Sequence, residues 1–186
     1  IIFHYSMSIS GQNLSIVIVT LKSDNVIHNC IKSIDPSIPI IVVENSKNTT
    51  FKEEIEYRYK NVECIISKEN LGMGAGNNIG IKYAKTNYVL ILNPDVTLQK
   101  DSLENIFAAS KLINDFSIIA PLCQDDNFPN YKILKKRKKT SKNTLPFKVD
   151  YVDGFAMLLN KSKFKKNIFF DENFFLYLEN DDLCLR

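Results

Sequence analysis

Apolar positions along this chain fall into short, charge-free runs that alternate with segments of helical spacing. Residues 14–21 (LSIVIVTL) form a β-branched run, the pattern of a strand buried on both faces. Asp24 stands where an N-cap would precede Val26, Ile27, Cys30, Ile31 and Ile34, whose spacing marks one face of a helix. Pro36 and Pro39 end it, and 38–43 reads as a second buried strand. A more polar helix is expected over 51–59 and a third strand over 62–67. A glycine-rich turn opening a helix follows over 72–84, then a short apolar strand over 88–92. A helix over 103–113 and a fifth strand over 117–122 complete the series.

This alternation predicts an α/β fold with a mainly parallel central sheet flanked by helices. The rhythm then breaks. Residues 123–150 are polar, lysine-rich and aperiodic, which predicts a flexible basic loop. A further strand is expected over 151–159, an aromatic stretch over 169–178 and a final helix from 179. The expected organisation is an N-terminal extension (1–13), an α/β half (14–122), the basic loop (123–150) and a second half (151–186). Because the chain stops inside a helical pattern and Met7 is its first methionine, it reads as a fragment.

Composition narrows the class. With 45% hydrophobic and 24% charged residues the chain is an ordinary globular protein. A net charge of +3 is too small to argue for nucleic acid. Much of that excess lies in Lys135, Lys136, Arg137, Lys138 and Lys139, a run that reads first as a solvated loop. Its second reading is peripheral contact with anionic lipid at the inner face of a membrane. Cys30, Cys64, Cys123 and Cys184 are far apart, with only His4 and His28 as companions, which argues against a zinc or redox motif. Each cysteine is expected to be a small buried hydrophobe, reduced in a cytoplasmic setting. No apolar stretch approaches the roughly 20 residues that span a bilayer, and residues 1–10 do not read as a signal peptide.

In open α/β sheets ligands bind beyond the carboxyl ends of the strands. There this chain places Thr20; Glu44, Asn45 and Ser46; Glu69, Asn70 and Gly72; and Asn93, Pro94 and Asp95. The cluster LGMGAGNNIG has two readings. Its glycines let the backbone approach a ligand, or they form a tight turn and a close helix-to-sheet contact. It superficially resembles a dinucleotide fingerprint, but it follows the third strand and its spacing fails at Ile79. Asp95 is suited to supply one oxygen ligand to Mg²⁺ or Mn²⁺, or else it caps the next turn. Asp171, Glu172, Glu179, Asp181 and Asp182 interleave with Phe169, Phe170, Phe174, Phe175 and Tyr177. Carboxylates partly desolvated by aromatic walls suit a general base for an alcohol, and acids at a helix N-terminus also suit its dipole.

Taken together, SIVIVT (15–20), VVENS (42–46), ENLGMGAGNNIGIKYA (69–84), LILNPDV (90–96), VDGFAMLL (152–159) and FDENFFLYLENDDLCLR (170–186) resemble the family-two glycosyltransferases, within them the rhamnosyltransferase-like branch. The resemblance implies a Rossmann-like nucleotide-sugar-binding domain of the GT-A type, and an inverting, metal-dependent enzyme. Its donor would be a dTDP- or UDP-linked rhamnose or hexose. Its acceptor would be a saccharide or lipid-linked saccharide of cell-surface polysaccharide biosynthesis. Thr20 and Glu44 would line the nucleoside pocket, where the family usually has Asp in place of Glu44. Asn70, Gly72, Asn78 and Gly154 would shape the donor site, and Asp95, with Asn93 in the first position of an abbreviated Asp-x-Asp motif, would bind the metal.

The family's last motif usually reads Glu-Asp-x-Asp-Leu-Cys, and here its second acid is Asn180. An amide cannot take a proton at neutral pH. The base role therefore passes to Asp181, Glu179 or Asp182, with Asp181 the first choice for its place beside the lost acid, or else the enzyme is impaired. Two rivals stand beside this reading: a nucleotide-binding oxidoreductase, suggested by the glycines, and a non-catalytic nucleotide-sugar-binding module, suggested by Asn180.

Overall fold

A computed structural model of the chain describes residues 13–113, 115–123, 127, 129–134 and 146–186. The expected N-terminal extension up to residue 12 and the lysine run lie outside them.

The alternation of buried strands and helices builds one six-stranded sheet. Its strands are β1 (Leu14–Thr20), β2 (Ile40–Glu44), β3 (Val62–Ile66), β4 (Tyr88–Leu92), β5 (Ile118–Ile119) and β8 (Ala156–Asn160), in the order β3-β2-β1-β4-β8-β5. β1 pairs in parallel with β2 and β4, and β2 with β3. β8 runs antiparallel to both β4 and β5, so the sheet is mainly parallel with one reversed strand.

β1 is buried along its whole length because both its faces are covered. Leu14, Ile16 and Ile18 face one core with Ile27, Cys30 and Ile31 of α1 (Ile27–Lys32), Phe51 and Ile55 of α2 (Thr49–Arg58) and Ile106 of α4 (Ser102–Leu112). Val17 and Val19 point the other way. They meet Ile81 of α3 (Gly72–Tyr83), Phe169, Phe170 and Leu183 of α5 (Glu179–Leu185).

Several boundaries depart from expectation, each for a local reason. Asp24 does not cap α1. Val26 holds the cap position without a side-chain bond, and Ser23 O accepts from the amides of Val26 and Ile27. α2 begins earlier than expected because Asn48 caps it, accepting from Phe51 N at 3.0 Å. The expected fifth strand shrinks to the two residues of β5. The expected strand over 151–159 is split, because its first part leaves the main sheet. Tyr151–Val152 (β7) pairs antiparallel with Tyr131–Lys132 (β6), and Asp153 N donates to Asn130 O. The expected basic loop therefore contributes a strand. Its buried Asn130 also ties Cys123 N and Pro121 O at 2.8 Å each.

All four cysteines are free. Burial, with the Asp95 charge adding to it, pushes the Cys30 thiol up to about 12. Burial likewise pushes Cys64 up to about 12. Cys123 is exposed, so the expectation of four buried cysteines holds for two. No described helix is long and apolar enough to cross a membrane.

Candidate nucleotide-sugar site

The carboxyl edge of the sheet is laced together by the backbone. Thr20 stands opposite Glu44 and Glu44 opposite Ile66. Asn45 N donates to Thr20 O at 2.8 Å and Ser67 N to Glu44 O at 3.0 Å. Above this edge lies a cleft of about 100 Å³. Thr20, Asn45, Asn70 and Gly72 line it from the sheet side, and Phe175 and Leu176 close it from the C-terminal segment. Thr20 Oγ1 and Asn45 Oδ1 are both buried and have no hydrogen-bond partner. A buried polar atom without a partner costs stability, so two on one cleft are a sign that something else satisfies them. Asn45 was legible as a strand-end residue, but the sequence did not mark it as a ligand contact.

Glu44 behaves differently from its expected role. The residue is 2% exposed, and its carboxylate accepts from Ser46 N and Asn48 N at 2.9 Å, and from the Ser46 hydroxyl. The longer side chain has turned back onto its own loop and does not line the cleft. Asn70 accepts from Gly72 N at 3.1 Å and so shapes the turn into α3.

The glycine cluster divides between its two readings. Gly76 and Gly80, one turn apart, let α3 lie flat on β1. A Cβ on Gly76 would fall 2.8 Å from Val19 Cγ1, and one on Gly80 would collide with Val17. These are packing glycines, which removes the main support for a dinucleotide fingerprint. Gly72 has φ +78°, and a Cβ there would strike Phe175 O. That carbonyl accepts from Met73 N at 3.0 Å, latching the 173–178 strap onto the first turn of α3. Asn78 does not face the cleft either. Its amide clips Phe170 on both sides, donating to Phe170 O and accepting from Phe170 N at 2.9 Å, and it also donates to Glu172. It borders instead a second, open hollow of about 350 Å³ beside Lys82 and Arg186.

At the end of β4, Asn93 N donates to Phe155 O at 2.9 Å, so β8 fixes this turn. Asp95 next to it is exposed and forms no ion pair among the described residues. Among those residues no group of three or more His, Cys, Asp and Glu could hold a metal alone. One free carboxylate beside an open edge still fits Mg²⁺ or Mn²⁺, which often take one or two protein carboxylates and complete their shell with phosphate and water.

The acidic cluster opens α5. Tyr177 and Leu178 both take left-handed backbone, φ 66° and 68°, to turn the strap into the helix. Glu179 is 9% exposed, its Oε2 is buried without a partner, and its Cβ lies beside Gly74 of α3. Asn180 is a pin. Its amide donates to Val152 O at 2.8 Å and to Asp181 Oδ1 at 3.0 Å. Gly154 lies beside it, and a Cβ there would stand in ordinary contact, 3.4 Å from Asn180 Cβ. Asp181 is thus already engaged, with Lys132 Nζ 3.9 Å away, and Asp182 pairs with Arg186 at 2.8 Å. Of the three acids, only Glu179 keeps a buried carboxylate oxygen unpartnered.

Comparison with known proteins agrees with this architecture. The chain is 28% identical over 193 residues to the low-salt glycan biosynthesis hexosyltransferase Agl10 of Haloferax volcanii, covering 94% of this chain and 61% of that protein. It is 27% identical over 172 residues to the rhamnosyltransferase WbbL of Escherichia coli, covering 78% of this chain and 65% of that one. The chain thus spans less than two thirds of either relative. Among solved structures, S. aureus TarS 1-349 in complex with UDP-GlcNAc superposes with a TM-score of 0.67 at 19% identity, over 92% of this chain and 52% of that one. The mannosyltransferase PcManGT of Pyrobaculum calidifontis, in complex with GDP-Man and Mn²⁺, gives 0.63 at 12%, over 87% and 48%. These two likenesses concern the fold. The model of the family described as Glycosyl transferase family 2 matches residues 15–168, most of the chain, and the protein belongs to that family.

Proposed function

We propose that this chain is the donor-binding and base-bearing part of an inverting glycosyltransferase. It moves a rhamnose or hexose from a nucleoside diphosphate onto an acceptor hydroxyl of a cell-surface saccharide or lipid-linked saccharide, at the cytoplasmic face of a membrane. The observation that carries the reading is the first turn of α3. Gly72 lines the small cleft, and Gly74, two residues on, packs against Glu179. Donor cleft and unpartnered carboxylate are therefore built on one rigid turn. The relatives named above, a hexosyltransferase and a rhamnosyltransferase, support the choice of sugar.

In this reading the nucleoside occupies the cleft at Thr20, and the diphosphate extends along the strand edge toward Asp95. Asp95 and the donor's phosphates would together hold Mg²⁺ or Mn²⁺, which when bound supplies Lewis-acid stabilisation of the leaving phosphate. Glu179 takes the proton of the acceptor hydroxyl as that oxygen attacks the anomeric carbon from the face opposite the leaving group. A single displacement inverts the configuration. The Phe175–Leu176 wall excludes water from the nucleoside side. Asn180, pinned by Val152, orients α5 and takes no proton.

The test is product analysis. dTDP-rhamnose and UDP- and dTDP-hexoses are offered with Mn²⁺ and a panel of saccharide and lipid-linked acceptors, and the product's anomeric configuration is read by proton NMR. A glycoside of inverted configuration is expected. A retained configuration would overturn the single-displacement assignment.

A further inference from the structure

The span that carries Asp95 leaves the sheet at Asn93 and returns to the core at Leu98, which is buried. Asp95 itself is exposed between them. Both ends of the span are tied to the end of α1. Leu98 N donates to the hydroxyl of Ser33, the C-cap of that helix, at 3.0 Å. The Ser33 hydroxyl in turn donates to Cys30 O at 2.6 Å. At the other end the buried Cys30 thiol donates to Asn93 O at 3.6 Å, and Asn93 O also accepts from Val96 N at 3.2 Å. A hydroxyl has one proton, and that of Ser33 is committed to Cys30 O, so a lone pair is left facing Leu98 N. The thiol is a weak donor, which makes Ser33 the stronger of the two anchors.

Resting on the donor reading above, we propose that Ser33 is a positioning residue for Asp95. By holding Leu98 N it fixes the far end of the 93–98 span and so the place of the carboxylate, while Pro94 restricts the near end. A metal that takes a single protein carboxylate has no second protein ligand to correct a misplaced one. The Ser33 hydroxyl is already spent on two backbone groups, so its effect reaches the metal through the backbone. Groups that orient a metal ligand are typically worth 10–100-fold in metal affinity, and an indirect one belongs at the lower end.

Two measurements on wild type, Ser33→Ala and Ser33→Thr test this. Hydrogen exchange without metal or nucleotide reads the anchor. The Leu98 amide is expected to exchange at least tenfold faster in Ser33→Ala and near the wild-type rate in Ser33→Thr, which keeps the hydroxyl. Calorimetric titration of UDP- and dTDP-linked sugars, with Mn²⁺ and with chelator, reads the consequence. The factor by which Mn²⁺ strengthens donor binding is expected to fall about tenfold in Ser33→Ala and to recover in Ser33→Thr, with binding in chelator unchanged. Cys30→Ala, which removes the weaker anchor, should shift both readings the same way by less. A Ser33→Ala protein with the wild-type Mn²⁺ factor overturns the proposal and leaves the donor reading standing. So does one weakened equally in Mn²⁺ and chelator, or a loss that Ser33→Thr does not restore. If wild type binds no donor, or binds it no better with Mn²⁺, the reading beneath the proposal falls instead.

Discussion

Replacing Glu179 with Gln is expected to lower sugar-transfer turnover about 10²–10⁴-fold, the usual contribution of a positioned general base. The same change in Asp181 or Asp182 is expected to cost far less. The sequence favours Asp181 for its position beside Asn180, but the structure separates the three acids by what they touch. Asp181 accepts from the Asn180 amide and lies near Lys132, and Asp182 is held by Arg186. Glu179 is buried against α3 with one oxygen unpartnered. An unpaired buried acceptor is unfavourable in the free protein, and an arriving hydroxyl proton relieves it. Glutamine preserves volume and burial, so donor affinity and thermal midpoint serve as controls. The measurement is kcat under donor saturation for Glu179→Gln, Asp181→Asn and Asp182→Asn. Unchanged turnover in Glu179→Gln, with a loss in Asp181→Asn, would return the role to the acid that sequence adjacency favours.

Gly72→Ala is expected to unseat the strap and lower stability together. At φ +78° a non-glycine residue costs roughly 1–2 kcal/mol. The added methyl also meets the Phe175 carbonyl, a backbone atom that cannot rotate away. Breaking the Met73 N to Phe175 O bond follows. A total near 3 kcal/mol is expected, which for a domain of this size is a fall in Tm of roughly 6–12 °C. Because Phe175 and Leu176 wall the cleft, nucleotide affinity should fall as well. By contrast Asn70→Ala, which removes only a side-chain bond to Gly72 N, should cost much less. Calorimetric melting with and without UDP checks both. A Tm within 2 °C of wild type, on the order of half a kcal/mol, would mean that the strap is not latched as described.

The parallel half of the fold was legible because its strands carry uninterrupted charge-free runs, β-branched in 14–21 and wholly apolar in 88–92. The reversed strand β8 was seen as a strand, but its direction and its break from β7 were not. The break goes with the pairing of β7 to β6 and the bond from Asp153 N to Asn130 O, and the direction with the pairing of β8 to β4 and β5, all partners distant in sequence. The strand-end positions were read correctly as an edge, yet side-chain direction decided their roles. Asn78 reads in sequence as a donor-site residue and Asn180 as the place of a lost acid, and both side chains hold backbone, Phe170 and Val152 respectively. Glu44 shows the same limit. One extra methylene lets its carboxylate reach the amides of Ser46 and Asn48, which no periodicity reveals.

Binding of a nucleotide-sugar donor can be measured without knowing the acceptor, and so tests the central claim most directly. UDP- and dTDP-linked sugars are titrated calorimetrically into wild type and Asp95→Ala, each with Mn²⁺ and with chelator. The expected result is donor binding by wild type that strengthens at least tenfold with Mn²⁺, and an Mn²⁺ effect that disappears in Asp95→Ala while weak nucleoside binding in the cleft at Thr20 remains. Donor binding that is indifferent to Mn²⁺, or an undiminished Mn²⁺ effect in Asp95→Ala, would contradict the metal site. Absence of any donor binding would contradict the account as a whole.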